Sequence, residues 1–239
     1  MQPSSSAITP TYLRNSLLFG VLVALALLMT GRLLVPATSF TSTMAASAIL
    51  LAYGGMAALC PLPLYRLHAG ILRWGLIFGL LAGAVFSGEI ILEYILLPAD
   101  NSRYRMVEFG TVFLLYLAAG FTSATATRSV KNAIFTSLAS AFIGSIIWTI
   151  TVLGVFYTFR GSPRQALVLR AEGDYEDFAR SGMKNFDAFI MEDFMGAIFF
   201  HLLLGLIIAV VLGLIAGLAG KAIGKAKMEP QESGQHPSR

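Results

Sequence analysis

Six long apolar runs constrain this chain more than any other feature. Each run is bounded by charge, proline or polar clusters. Because about 20 apolar residues in a helix span the hydrocarbon core of a bilayer, each run is long enough to cross a membrane. The sequence therefore predicts an all-α, polytopic integral membrane bundle of about six transmembrane helices, at roughly 14–35, 43–62, 70–97, 107–127, 132–159 and 188–219.

Composition supports a bilayer rather than water as the solvent. The chain of 239 residues is 56% hydrophobic and only 13% charged, more apolar than a soluble core of this length can hide. Its basic residues stand at the ends of the apolar runs, as membrane anchors do, so we expect the lipid bilayer and not nucleic acid as a partner. No phosphate-binding loop or dinucleotide fingerprint is present, and we predict no cofactor.

The amino-terminal run resembles a signal peptide, with Arg14 ahead of the apolar stretch 17–29. The first small-residue triplet, 46–48, comes too late for cleavage. We therefore predict an uncleaved first helix. Cys60 is the only cysteine, which excludes a disulfide within the chain, and its apolar surroundings favour a buried thiol over a reactive one.

The longest connection, between the fifth and sixth runs, has a soluble character. Ser162, Pro163 and Gln165 form a helix-start pattern, and a second short helix is predicted from Asp174 to a stop at Gly182. The predicted organisation has five parts. They are a cytoplasmic amino-terminal segment (1–13), helices one to five (14–159), a partly helical outer cap loop (160–187), the sixth helix (188–220) and a disordered basic cytoplasmic tail (221–239).

Basic residues in the short loops predict the orientation. Arg66 and Arg73 flank one turn, and Arg128 and Lys131 flank another. Because short cytoplasmic loops carry an excess of Lys and Arg, both turns are expected inside. This predicts a multi-pass protein of the bacterial inner membrane with both termini in the cytoplasm.

Two stripes of small residues predict close helix packing. Residues of this size at intervals of four let helix backbones approach closely in lipid. We predict that the third and sixth helices contact each other through these stripes, with a homodimer interface as the alternative. The stripes are Gly75, Gly79, Gly83 and Ser87 in the third helix, and Gly205, Ala209, Gly213 and Gly217 in the sixth.

One cluster of ionisable residues inside the predicted spans is the candidate functional site. An ionisable side chain costs about 2.5–3.5 kcal/mol at the centre of a membrane helix, so it needs a partner or a function. Glu89 and Glu93 lie one turn apart on the third helix, and Glu192, Asp193 and His201 lie on the sixth, with His201 at a depth similar to that of Glu89. If the two stripes pack together, Glu89 and His201 come within hydrogen-bonding distance.

Three interpretations of this polar cluster stay open. In the first, the cluster is a buried pair that fixes helix register, with tyrosines as alternative donors. In the second, it is a proton or cation path. In the third, it is a metal centre, for which His201 and Glu89 are weak candidates because no HExxH motif or cysteine cluster accompanies them.

No catalytic motif accompanies the cluster, and the biochemical activity stays unknown. An auxiliary or structural membrane subunit, bound to other subunits or to a second copy, is therefore the first hypothesis. A small transporter or channel that uses Glu89, Glu93 and His201 is the alternative, and a membrane-embedded metal-dependent enzyme is the least favoured.

Overall fold

The structure is a computed structural model that describes residues 10–59, 69–96 and 102–226. In these residues the chain forms helices and no strand, and six of the helices are long and apolar enough to cross a membrane. The prediction of an all-α, multi-pass membrane bundle is confirmed. The helices of the described residues are α1 (Pro10–Leu34), α2 (Phe40–Leu59), α3 (Ala69–Leu96), α4 (Ser102–Thr127), α5 (Val130–Phe159), α6 (Pro163–Glu172), α7 (Asp174–Ser181) and α8 (Phe186–Ala226).

Helix α5 is the central element of the bundle. In its most apolar stretch 56% of the residues are buried, against at most 33% in any other span. It packs against α1, α3, α4 and α8, whereas α2 packs against α1 and α8. The outward faces of the surrounding helices carry large apolar side chains, such as Phe19, Leu33 and Leu114, as a surface in contact with lipid should.

The prediction that the two small-residue stripes pack against each other is wrong. A Cβ atom on Gly79 would lie 2.7 Å from the Cβ of Ile143, on α5. A Cβ on Gly213 would lie 2.8 Å from the Cα of Ile134, also on α5. Both stripes therefore pack against the central helix, one on each side, because α5 supplies its own small residues at these levels. Helices α3 and α8 contact each other through larger side chains, as Phe86 and His201 do.

The other stripe residues have separate contacts. Ser87 shares a hydrogen bond of 2.8 Å with Thr151 of α5. Ala209 is fully buried among residues of α3, α4 and α5. A Cβ on Gly205 would lie 3.3 Å from the Oγ of Ser145. These three stripe residues therefore also have neighbours on α5.

Two short helices, α6 and α7, form a cap over one end of the bundle, which we call the cap end. Ser162 is the N-cap of α6 and accepts a hydrogen bond from the backbone N–H of Gln165. The Oε1 of Gln165 accepts from the backbone N–H of Gly161, one residue before the N-cap. Gly182 ends α7 with a φ of 72°. These helices follow from the local pattern of caps and glycines.

Helix α8 is much longer than a membrane requires. Its 41 residues extend about 60 Å, roughly twice the thickness of the hydrocarbon core. It continues past residue 220, where the predicted sixth segment ends, to Ala226. Cys60, the basic turn at Arg66 and residues 227–239 of the predicted tail lie outside the described residues.

Candidate functional site: carboxylates beneath the cap

Three acidic side chains of α3 and α4 lie inside the membrane spans near the cap end. Glu89 and Glu93 share one face of α3, since they are one turn apart. Glu108 lies on α4, and both Glu93 and Glu108 are less than 10% exposed. The charges of Glu89 and Glu108 are close enough to act on each other. Helices α3 and α4 thus bring three acids together between them.

The cap adds a fourth acid and α4 adds a cation. The Nη2 of Arg105 lies 2.5 Å from the Oε1 of Glu172, at the end of α6, and 3.9 Å from the Oε1 of Glu93. Glu93 of the span and Glu172 of the cap thus approach the same guanidinium. We call Glu89, Glu93, Glu108 and Glu172 the carboxylate cluster. Within the described residues, Arg105 is the one cation whose charge acts on its three members in α3 and α4.

The carboxylate cluster continues into a second group of acids at the underside of the cap. Asp174 begins α7 and is flanked by Glu172, Asp177 and, from α8, Asp193. Burial and, next, the neighbouring carboxylates raise the pKa of Asp174 to about 7, while Arg105 acts in the opposite direction. Asp193, one of the predicted site residues, therefore belongs to this part of the site.

The cap is fastened to α3 by an arginine. The guanidinium of Arg164, in the first turn of α6, donates to the backbone carbonyls of Tyr94 and Ile95. These carbonyls belong to the last turn of α3, where backbone acceptors have no partner within the helix and the helix dipole favours a cation. This contact holds α6 across the end of α3, above Glu93.

His201 does not join the acids, contrary to the geometry expected from the sequence. Its imidazole is stacked on Trp148 of α5, with ring centroids 3.9 Å apart and planes at 9°. Phe86 of α3 presents its edge to the same ring at 4.7 Å. Within the described residues, no hydrogen bond or ion pair joins His201 to Glu89. The expected geometry assumed that α3 packs along this part of α8, whereas α5 is the main neighbour here.

Glu192 also has a role apart from the carboxylate cluster. Its Oε1 accepts a hydrogen bond of 2.7 Å from the backbone N–H of Ser39, at the start of α2. The first N–H groups of a helix lack partners within the helix, and a carboxylate satisfies them well. Glu192 therefore ties α8 to the start of α2. Of the five predicted site residues, the structure groups Glu89 with Glu93, puts Asp193 next to the cap, and separates Glu192 and His201.

Polar side chains also line the buried face of α5, and most bond to backbone carbonyls. Thr136 donates to Asn132, Ser137 to Tyr116, and Thr149 to Ser145. The bonds of Thr136 and Thr149 lie within α5 and that of Ser137 reaches α4, and all of them satisfy hydroxyls in a membrane helix without water. The Oγ of Ser145 is an exception, since it is fully buried and has no partner in hydrogen-bonding geometry. This row is therefore mainly a packing feature.

Sequence reasoning missed four members of the site: Arg105, Glu108, Glu172 and Asp174. The predicted fourth helix began at 107, which put Glu108 at its boundary, whereas α4 begins at Ser102 and carries Glu108 inside. A search for charge in the first turns of that helix would have found it. The sequence contains no such signal for Glu172 and Asp174, because these residues approach the other acids only when the cap folds onto α3 and α4.

The site is suited to binding positive charge. Glu93 and Glu172 lie beside one guanidinium, and the charge of the same guanidinium acts on Glu89 and Glu108. Carboxyl groups inside a membrane span are typical of proton and ion paths. The described residues contain no group of three His, Cys, Asp or Glu side chains that could hold a metal ion, so the metal centre suggested by Glu89 and His201 has no geometric support.

Comparison of the chain with models of protein families, with curated proteins and with solved structures finds no match. The function must therefore be argued from the site itself.

Proposed function

We propose that this membrane protein is a small proton transporter or channel whose binding site is the carboxylate cluster. The observation that carries the proposal is the convergence of Glu93, from the membrane span, and Glu172, from the cap, on Arg105. Carboxyl groups accept and release protons, and chains of them form the proton relays of membrane transporters. This pair connects the cap surface with the span, and proton exchange requires no cofactor.

The carboxylate cluster favours this function over a purely structural role. A pair that only fixes helix register needs one acid and one base, whereas this site brings acids of α3 and α4 together with Glu172 of the cap. Exchange of protons also suits its location, because Glu172 and Arg105 are partly exposed while Glu93 and Glu108 are buried. The cluster therefore extends from the surface at the cap end into the span.

Proton flux through the purified protein is the direct test. The full chain is reconstituted in liposomes that contain a pH-sensitive dye, and a potassium diffusion potential drives protons inward. We expect flux above that of empty liposomes, and a fall toward the empty-liposome rate in Glu93→Gln and Glu108→Gln, because an amide cannot accept and release the proton. Glu176→Gln, an exposed acid on the same cap, is the matched control.

Two results contradict this function. One is an unsubstituted protein, monodisperse after reconstitution, that carries protons no faster than empty liposomes. The other is an equal loss of flux in Glu176→Gln, which would show that the cluster has no special part. A sodium gradient applied to the same liposomes distinguishes protons from a metal cation.

We further infer that the protein lies in a bacterial inner membrane with its cap end outside the cytoplasm. The end opposite the cap carries exposed Arg128, Lys131 and Lys221, whereas the acids of the described residues lie toward the cap end, together with further basic residues. Basic residues favour the cytoplasmic side. In this orientation both termini face the cytoplasm, and the carboxylate cluster receives protons from the outside.

A second candidate function, as an auxiliary subunit of a membrane complex, is favoured by one face of α2. Ala48, Ala52 and Gly55 are exposed along this face at helical spacing, and a Cβ on Gly55 would meet nothing within 4 Å. Small side chains make little contact with lipid, but they let another helix approach closely. Another membrane helix, from a partner subunit or a second copy, suits this face.

A further inference from the structure

The cap is built as two rigid pieces with glycine joints. Gly161 precedes α6, Gly173 separates α6 from α7, and Gly182 follows α7. In the described residues these are the glycines with positive φ, at 71°, 89° and 72° respectively. Glycine adopts this conformation at little cost and leaves the backbone free to change. The joints at Gly173 and Gly182 therefore allow α7 to move as a unit.

Few contacts hold α7 down. No residue of α7 is buried. Its attachment to α8 is largely aromatic: Tyr175 stacks on Phe186 at 4.5 Å, and Phe178 meets Phe186 at 5.2 Å and Phe189 at 5.6 Å. Helix α6 is held more firmly, by Arg164 on α3. Helix α7 is consequently the less constrained half of the cap.

Charge at the underside of the cap opposes docking. Asp174 is half-buried next to acids of three helices, and Arg105 of α4 is the cation that acts on it. When these acids are ionised they repel one another, and protonation removes the repulsion. The titratable and charged groups that act on Asp174 or are acted on by it are Tyr94 of α3, Arg105 of α4, Glu172 of α6, Asp177 of α7 and Asp193 of α8.

The direction of the pH effect follows from the docked position of Asp174. Docking raises the pKa of this carboxyl group from its ordinary 3.8 to about 7. The docked cap therefore binds the proton more tightly than a lifted cap does, and protonation stabilises docking. This stabilisation is complete below pH 3.8, declines as the pH rises toward about 7, and is absent above.

We propose that α7 is a proton-operated gate at the cap end, which docks over the carboxylate cluster when the acids beneath it are protonated and lifts when they are ionised. The proposal rests on the proposed function, because the gate controls access to the same site. Lifting separates Asp174 from Asp193 and exposes the Glu172–Arg105 pair to water. Proton uptake from the cap side then returns α7 to its docked position over the protonated site.

Distances between spin labels test the gate in the full chain. In a Cys60→Ser background, labels are attached at Ala179→Cys on α7 and Leu33→Cys on α1, both exposed. In liposomes at about pH 4.5 we expect one distance, and at about pH 8 a second, longer one, with an equilibrium that shifts by up to about tenfold per pH unit. With Asp174→Asn added, the docked distance should dominate at both values. With Glu176→Gln added, the pH dependence should be retained.

Two outcomes would overturn the gate: the same distance distribution at both pH values, or an unchanged pH dependence with Asp174→Asn. The proposed function fails by a different measurement. Proton flux without movement of α7 refutes only the gate, and movement of α7 without proton flux refutes only the transport function.

Discussion

The contact between α3 and α5 depends on single glycine residues. At Gly79 an added Cβ would meet both the Cβ of Ile143, at 2.7 Å, and the carbonyl oxygen of Ser140, at 3.0 Å. The backbone oxygen cannot move aside as a flexible side chain can. We expect Gly79→Ala to lower stability by about 1–3 kcal/mol, because the two helices must separate. Thermal unfolding in mild detergent, followed by size-exclusion chromatography, measures this loss.

Gly88, on the same helix, provides the matched control. A Cβ at this position would meet nothing within 4 Å. Since alanine is the better helix former, Gly88→Ala should leave the unfolding temperature unchanged or raise it slightly. A similar loss of stability in both variants would mean that close packing on α5 does not explain the role of Gly79.

Single residues also show what the sequence could and could not predict about the site. The shared face of Glu89 and Glu93 follows from helical spacing alone, so it was predictable. The surroundings of His201 were not, because they depend on how α8 is rotated against α5. Trp148 occupies the position that the sequence argument assigned to Glu89. Rotation about a helix axis is set by packing with other helices, which a single sequence does not record.

Helix α2 has a face of small, exposed residues that suits a partner helix. We expect Ala52→Trp to abolish co-purification of any stoichiometric partner, or to convert a dimer to a monomer, because a large ring prevents close approach of a second helix. The measurement is mass spectrometry and light scattering of the tagged protein, purified from its native membrane in mild detergent.

Leu22→Trp on α1 is the control, since Leu22 is 63% exposed and already large. It should leave the association state unchanged. If the unsubstituted protein is a monomer with no partner, or if both variants disrupt the complex equally, the face of α2 is not an interface and the subunit hypothesis loses its support.

Short helices were predicted more accurately than the contacts between long ones. The start of α6 at Ser162 and the end of α7 at Gly182 follow from interactions within a few residues. By contrast, the small-residue stripes identified surfaces that pack closely without identifying their partner. Two helices with small residues can each pack against a third, as α3 and α8 do with α5.

The orientation of the whole molecule is open to a direct test. In a Cys60→Ser background, Ala179→Cys on the cap and Lys131→Cys at the opposite end are both exposed positions. We expect a membrane-impermeant maleimide to label Ala179→Cys in cells with a permeabilised outer membrane and an intact inner one, because the positive-inside rule puts the cap outside. Lys131→Cys should react only after the inner membrane is disrupted. The reverse pattern would invert the topology and the side from which protons enter.

The central position of α5 has a consequence for biogenesis. A ribosome delivers α1 to α4 to the membrane before the helix on which three of them pack. Until residues 130–159 are inserted, the glycine face of α3 has no partner in its own chain. The nascent protein must therefore complete its interior late, when the fifth span enters between helices already in the bilayer. A chain that stops after α4 keeps that face open and is a natural substrate for membrane quality control.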